Sequence, residues 1–368
     1  MDYLAKVIDE KSFKESLLKG TFSWKKLQEN LGRAYAEGRM REAIPETMFG
    51  QLTRYGIQLI ANDWYQRVPV DYPKFCQEYA SKSRQEWHAP LYRGELPQKV
   101  GPSGNFVEGK LKGADIMLIN EKWGKIFSFE RELFDDDQTG QIQQRAAQIG
   151  EDLRIIEDIN AIGKLVATGL TYGVVTVDPS PYSTVDVLGN VVNAVYSTAV
   201  GNLATSTGGL SQPLLETAEI ALVTMLDPLG NNMLVIPDTL IFSPADNFNA
   251  PKILKSAYQP SIPGFPAVTL AQGVPGSTGW TETYNPLYGR YQMIMSRYLP
   301  TTGLDSTNGA WYLGQKNRGL VFQRRDAIEV VQEAPNSGQS FEKDAYRFRG
   351  RDRFVVDWVE CRFWYQGN

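Results

Sequence analysis

The stretch nearest to a chemical motif is Gly104-Asn-Phe-Val-Glu-Gly-Lys110-Leu111. It follows the pattern of a phosphate-binding loop, with glycines for close backbone approach and a lysine for the phosphates, up to its final position. There Leu111 stands where a serine or threonine hydroxyl would hold Mg²⁺. Pro97, Gly101, Pro102 and Gly113 surround the stretch, where the motif needs a buried strand before it and a helix after it. Nucleotide binding by Gly104 to Lys110 is therefore the weaker alternative. The single histidine, His88, lies beside Trp87 and Pro90. A histidine zinc site or a Ser-His-Asp triad needs further ligands or an orienting group in fixed geometry, so His88 reads as a loop residue. Asp135, Asp136 and Asp137 offer the oxygen donors that Ca²⁺ or Mg²⁺ takes. Three consecutive carboxylates point in different directions, however, and their position just ahead of a helical pattern suits capping of free N–H groups. Cys76 and Cys361 have neither disulfide-framework nor zinc spacing and read as packing residues in a reducing compartment. Catalytic, cofactor-binding and metal residues are all assigned as none.

The elements that would position any such groups begin with a long helix. Behind the three aspartates, apolar residues recur at Ile142, Ala146, Ile149, Leu153, Ile156, Ile159 and Ile162 or Gly163, the three-and-four spacing of one buried helical stripe. About 30 residues of helix would span roughly 45 Å. A second helical pattern runs from Pro45 to Tyr65, with Met48, Leu52, Tyr55, Leu59 and Ile60 on one side. Residues 1 to 45 carry isolated apolar side chains such as Leu4, Ile8 and Leu27, too few for a core of their own, and read as an arm that needs a partner. Between Pro69 and Gly124 the chain is extended and studded with proline and glycine, a long hairpin held by something outside itself. Ala114 to Asn120 is its strand candidate.

Residues 171 to 330 read as a mixed domain. Val174 to Val177 and Val191 to Val195 are strand candidates, and Leu214, Ala218, Ala221, Leu222 and Met225 mark an amphipathic helix. Further strands are expected at Tyr291 to Tyr298, Ala310 to Leu313, Leu320 to Phe322 and Ala327 to Gln332. Tyr346 to Tyr365 alternates apolar and charged residues at the period of a half-buried strand. Arg347, Arg349, Arg351 and Arg353 line up along it. Interleaved arginines and aromatics also bind single-stranded nucleic acid, but the strand with ion pairs between subunits is the reading preferred here.

The totals restrict the class further. With 42% hydrophobic and 22% charged residues in 368, the chain has the composition of a globular protein large enough for two or three packed units. Its net charge of -4 argues against a dedicated nucleic-acid grip, which draws on a basic excess. The charged amino terminus and the absence of an 18-residue apolar window predict neither a standard export signal nor a membrane span.

The order of these parts resembles the major capsid (head) proteins of tailed bacteriophages, most closely the major head subunit of Mu-like phages. The resemblance is carried by Trp123-Gly-Lys-Ile-Phe-Ser-Phe-Glu-Arg-Glu132 with Asp136 and Asp137, by Leu226-Asp-Pro-Leu-Gly230 through Ile236-Pro237, and by Phe348-Arg-Gly-Arg-Asp-Arg353 with Arg362-Phe363. It extends over roughly residues 45 to 368. It implies an α+β subunit of the tailed-phage capsid fold. The parts would be an N-terminal arm over 1–65, an extended loop over 66–124, a peripheral domain with the spine helix over 125–170 and 327–368, and an axial domain over 171–326. It implies a subunit that assembles with itself, as pentamers and hexamers, into the icosahedral head around double-stranded DNA. The expected partners are portal, scaffolding and decoration proteins, with no specific DNA binding and no membrane. The protein would be built in the host cytoplasm and end in the virion. It would not be an enzyme. A cellular nanocompartment shell is the alternative with the same fold.

Overall fold

The computed structural model describes residues 46–90, 97, 99–102, 104–106, 108, 115–130, 141–167, 170–256 without 173, 186, 187, 189 and 206–208, 285–299, 310–333 and 345–367. The arm over 1–45, Asp135 to Asp137 and Lys110 lie outside these residues.

The two expected helices are present. Helix α1 spans Glu46–Arg67 and helix α2 spans Gln141–Val166. At 26 residues α2 is roughly 39 Å long. Its first half is amphipathic: Ala146, Ile149 and Leu153 are buried, while Arg145, Gln148 and Asp152 are exposed. From Glu157 to Gly163 every residue is buried, because there the helix passes through the core. The stripe breaks down at that point since a helix enclosed on all sides has no solvent face to pattern.

Strands β1 Gln77–Ala80, β4 Glu121–Glu130, β12 Leu320–Gln332 and β13 Ala345–Trp358 form one sheet, in the order β1-β12-β13-β4. Strand β1 runs parallel to β12 and the other pairs are antiparallel. Where two separate strands were expected, 320–322 and 327–332, there is one continuous β12. Its register shifts between Arg324 and Asp326 and again before Glu329 hide the continuity, because an irregular step turns the alternation over to the other face. A two-stranded hairpin of β2 Gln85–His88 and β3 Ile116–Ile119 stands on this sheet.

The middle of the chain adds the short hairpins β5 Leu170–Tyr172 with β6 Val175–Val177 and β7 Thr184–Val185 with β8 Val191–Val192. Helix α3 Gln212–Val223 turns Leu215, Ala218 and Leu222 inward, so Leu215 and not Leu214 is the core residue of its first turn. Helix α4 spans Asn249–Leu254. The second sheet contains β9 Thr239–Phe242, β10 Gln292–Met295, β11 Trp311–Gly314 and β14 Trp364–Gly367, in the order β10-β9-β11-β14.

The terminal β signal is therefore two strands in two sheets. Between them Cys361–Phe363 forms a 3-10 turn, where the Glu360 carboxylate accepts from the backbone N–H and the guanidinium of Arg362. The last strand crosses from the sheet over α2 to the second sheet, and residues 320–326 belong to the first sheet. One apolar core, from Tyr72 and Phe75 through Ile162 and Leu165 to Trp358 and Trp364, joins the sheets. No helix among the described residues is long and apolar enough to cross a membrane.

Candidate functional site: a buried charge cluster and unpartnered assembly surfaces

A cluster of buried charge ties α1, α2 and the first sheet together. Glu157 of α2 is fully buried. Its Oε1 accepts from the Tyr65 hydroxyl at 2.5 Å and from Arg324 Nη2 at 2.7 Å. Its Oε2 accepts from the Tyr72 hydroxyl at 3.0 Å and from Arg154 Nη1 at 2.8 Å. Arg324 on β12 also donates to the Tyr65 oxygen at 2.6 Å and stands 3.6 Å from Oδ2 of Asp352 on β13. Each carboxylate oxygen of Glu157 thus has one phenol and one guanidinium donor, the satisfaction that a buried ion needs.

Asp352 plays the opposite part. Burial, then a hydrogen bond and charge repulsion from Glu157, push its carboxyl up to about 8, although Arg324 opposes the shift. Its Oδ2 has no hydrogen-bond partner and stands 3.6 Å from Arg324, too far to offset the burial and the neighbouring Glu157 charge that favour the protonated form. Asp158, the next residue on α2, accepts from the backbone N–H groups of Asp71 at 3.0 Å and Tyr72 at 2.9 Å. It caps from a distance the short turn Tyr72–Lys74 that follows α1, and burial pushes it up to about 6.

A pH dependence follows. Asp352 titrates near 3.9 when unfolded, so between about 4 and 8 the folded chain holds a proton that the unfolded chain has lost. The stability this contributes is complete below about pH 4 and is lost as the pH rises to 8. Asp352→Asn should remove most of that slope and make the subunit more stable than wild type at pH 8 and above. Asp158 leaves a smaller slope of the same sign ending near pH 6. Urea midpoints of the unassembled subunit from pH 4 to 9 check this; a variant less stable than wild type at pH 9 would refute it.

The hairpin β2–β3 is anchored by polar contacts. His88 Nε2 and the side-chain Oε1 of Gln323 are 2.8 Å apart. The Gln323 amide donates to Asn120 Oδ1 at 3.0 Å, and Asn120 donates to Ser81 Oγ at 2.9 Å. The only histidine is thus a strand residue positioning a hairpin, where a loop position was expected. It borders a groove of about 310 Å³ with Tyr79, Met233, Arg318 and Phe363. On the inner side of the hairpin Leu118 packs on Val321 and Val355. On its outer side Trp87, Met117 and Ile119 are 65, 39 and 43% exposed. Trp87 and Met117 are cross-strand partners, and Ile119 is two residues on, so the three form one apolar face. A second exposed apolar surface lies where α3 ends. The Asp227 carboxylate closes the turn by accepting from Leu229 and Asn231, and Ile220, Val223, Leu226 and Leu234 stand exposed around it. Exposed patches of this kind mark association surfaces.

The remaining sequence candidates are not brought together. Gly104 donates its N–H to Gly101 O in a turn with Phe106 exposed, in neither helix nor strand. Both cysteines are free and buried. No group of three or more metal-ligating side chains occurs among the described residues. Of the four arginines on β13, Arg347 pairs with Glu333, Arg351 with Glu329 and Arg353 with Asp326. These partners lie within the chain, where partners on other subunits were expected. The cluster around Glu157 escapes sequence reading; its one trace is the spacing of three between Arg154 and Glu157, common to surface pairs.

A spine helix pinned to a mixed sheet by buried charge, with apolar side chains exposed on a hairpin and at a helix end, makes this an α+β structural subunit. Residues 120–365 match the family described as phage capsid protein, and the chain belongs to that family. It is a major capsid shell protein of a phage, a structural protein of the virion. No curated protein matches the sequence. Among solved structures it is similar to the capsid of a native GTA particle computed with C5 symmetry, at 12% identity over 81% of this chain and 90% of that one, with a TM-score of 0.52. A structure from Mycobacterium phage Cain is matched at 15% identity over 91% and 96% of the two chains, with a TM-score of 0.47. The bacteriophage PhiM1 mature capsid is matched at 9% identity over 82% and 87%, with a TM-score of 0.49.

Proposed function

We propose that the protein assembles as pentamers and hexamers into the closed icosahedral head of a tailed phage around double-stranded DNA. The observation that carries this reading is the family match over residues 120–365. The exposed faces of the β2–β3 hairpin and of the α3 turn support it, since heterologous contacts that close around symmetry axes would cover them. In this reading residues 1–65 form the arm, 66–124 the loop that reaches over a neighbour, 125–170 and 327–368 the peripheral part, and 171–326 the axial part. Portal, scaffolding and decoration proteins are the further partners, and assembly takes place in the host cytoplasm. The net charge of -4 suits a container that holds its duplex without gripping it. The strings at 123–132, 226–237 and 348–363 favour a head subunit of the Mu-like kind. The protein acts without catalysis, cofactor or metal.

The test is expression of the chain alone and with its neighbouring genes, followed by light scattering and negative-stain electron microscopy. Closed shells, or five- and six-membered rings, are the expected result. A discrete monomer or dimer in every combination would overturn the reading.

A further inference from the structure

The outer face of the first sheet carries a ladder of ion pairs with one rung missing. Arg347 meets Glu333 at 3.6 Å, Arg351 meets Glu329 at 2.8 Å and Arg353 meets Asp326 at 3.6 Å. Arg349 stands between them on the same face, opposite Val331 of β12 and Ile126 of β4. It is exposed and has no acidic partner among the described residues. Ile126 beside it is 53% exposed. The alternation of β13 directs Phe348, Gly350, Asp352 and Phe354 inward, and a Cβ on Gly350 would stand 3.0 Å from Leu153 of α2, so the four arginines face away from the helix. At the other end of the sheet the same outer face is covered by the β2–β3 hairpin through Leu118. Over the ladder it is bare among the described residues.

We propose that this bare half-face is a contact with a second copy of the chain. A carboxylate of the copy completes the ladder at Arg349, and an apolar side chain covers Ile126 and Val331. The inference rests on the reading that the chain builds a shell from copies of itself. A copy carries more acidic than basic residues, 42 against 38, and so can offer a carboxylate to the one unpaired cation, a pairing that fixes orientation and register. Nucleic acid fits this face less well. Phosphate contacts draw on free cations, whereas three of the four arginines here are neutralised by carboxylates that would repel a phosphate backbone. One free arginine flanked by two apolar side chains suits a protein surface.

The test compares wild type, Arg349→Glu and Arg349→Lys in the full chain, expressed with its neighbouring genes. Sedimentation and electron microscopy measure the assembled fraction, and thermal unfolding of the unassembled subunit measures folding. Arg349→Glu should raise the subunit concentration needed for assembly at least about tenfold, the effect of losing about 1.4 kcal/mol from one contact per subunit. Arg349→Lys should stay near wild type, and both should melt as wild type does. A photoreactive side chain at position 349 should cross-link one copy to another in assembled particles. Wild-type assembly by Arg349→Glu, or cross-links only to a different protein, would overturn the inference and leave the shell reading intact. Normal shells of Arg349→Glu that have lost their DNA would overturn it in favour of a nucleic-acid contact. Failure of wild type to assemble would remove the shell reading, and this inference with it.

Discussion

Glu157→Ala is expected to lower the unfolding free energy of the subunit by about 3–5 kcal/mol, the cost of breaking a buried ion pair by removing one partner. The side chain is fully buried and receives four hydrogen bonds, from Tyr65, Tyr72, Arg154 and Arg324. Its removal leaves two guanidinium groups and two phenols facing a cavity, with only Asp352 to turn to, and ionising Asp352 costs the proton that burial holds on it. Arg154→Met should cost less, because Arg154 is 19% exposed and only one of the Glu157 donors is lost with it. Against a total stability of about 5–15 kcal/mol, the Glu157 loss is large enough to leave much of the subunit unfolded in mild denaturant. Urea unfolding of the unassembled subunit measures it. A loss below about 1 kcal/mol, the range of surface ion pairs, would mean that water reaches the cluster.

The second large effect is expected at the crossing of α1 and α2. A Cβ on Gly150 would stand 2.0 Å from the Ala61 carbonyl oxygen and 3.0 Å from the Tyr65 backbone nitrogen. No side chain can yield there, because the obstacle is helix backbone, so Gly150→Val must push the helices apart. The loss should be about 3 kcal/mol, the upper part of the usual range for overpacking. The displacement would also pull Tyr65 from Glu157 and the Gln58 amide from the Val330 carbonyl, so α1 loses one tie to α2 and one to the sheet. Gly101→Ala serves as control, since nothing lies within 4 Å of its Cβ position. It should stay within about 0.5 kcal/mol of wild type, like other surface changes. Melting temperatures of the two variants, measured side by side, separate the crossing from a general intolerance of glycine replacement. Equal melting temperatures would refute the close-contact account.

Local patterning was legible to the degree that one face of each element sees water. The stripe at Ala146, Ile149, Leu153, Ile159 and Ile162 identified α2, and these residues are all buried. The alternation over 346–358 identified β13 for the same reason. It misled at both ends of the sheet. Residues 320–323 and 354–358 are buried on both faces, so their pattern is lost. The two register shifts split β12 into two apparent strands. The passage to β14 stayed hidden because Glu360 and Arg362 read as ordinary alternating charges, while in the structure they satisfy each other inside the core.

Read alone, the sequence carries the periodic elements and a resemblance to phage head proteins in short strings of fixed order. These are properties of neighbouring residues, and a chain of 3.6 or two residue periods displays them before it folds. Only the tertiary structure decided which charges are buried and which partners they take. Arg324 lies 167 residues from Glu157, and nothing local to either announces the other. It also decided that three arginines of β13 are answered within the chain and that Arg349 is left over, because an ion pair across a sheet depends on strand order and register. Those are set when β12 and β13 pair over α2, by the packing of the whole core, and no short window of sequence contains that information.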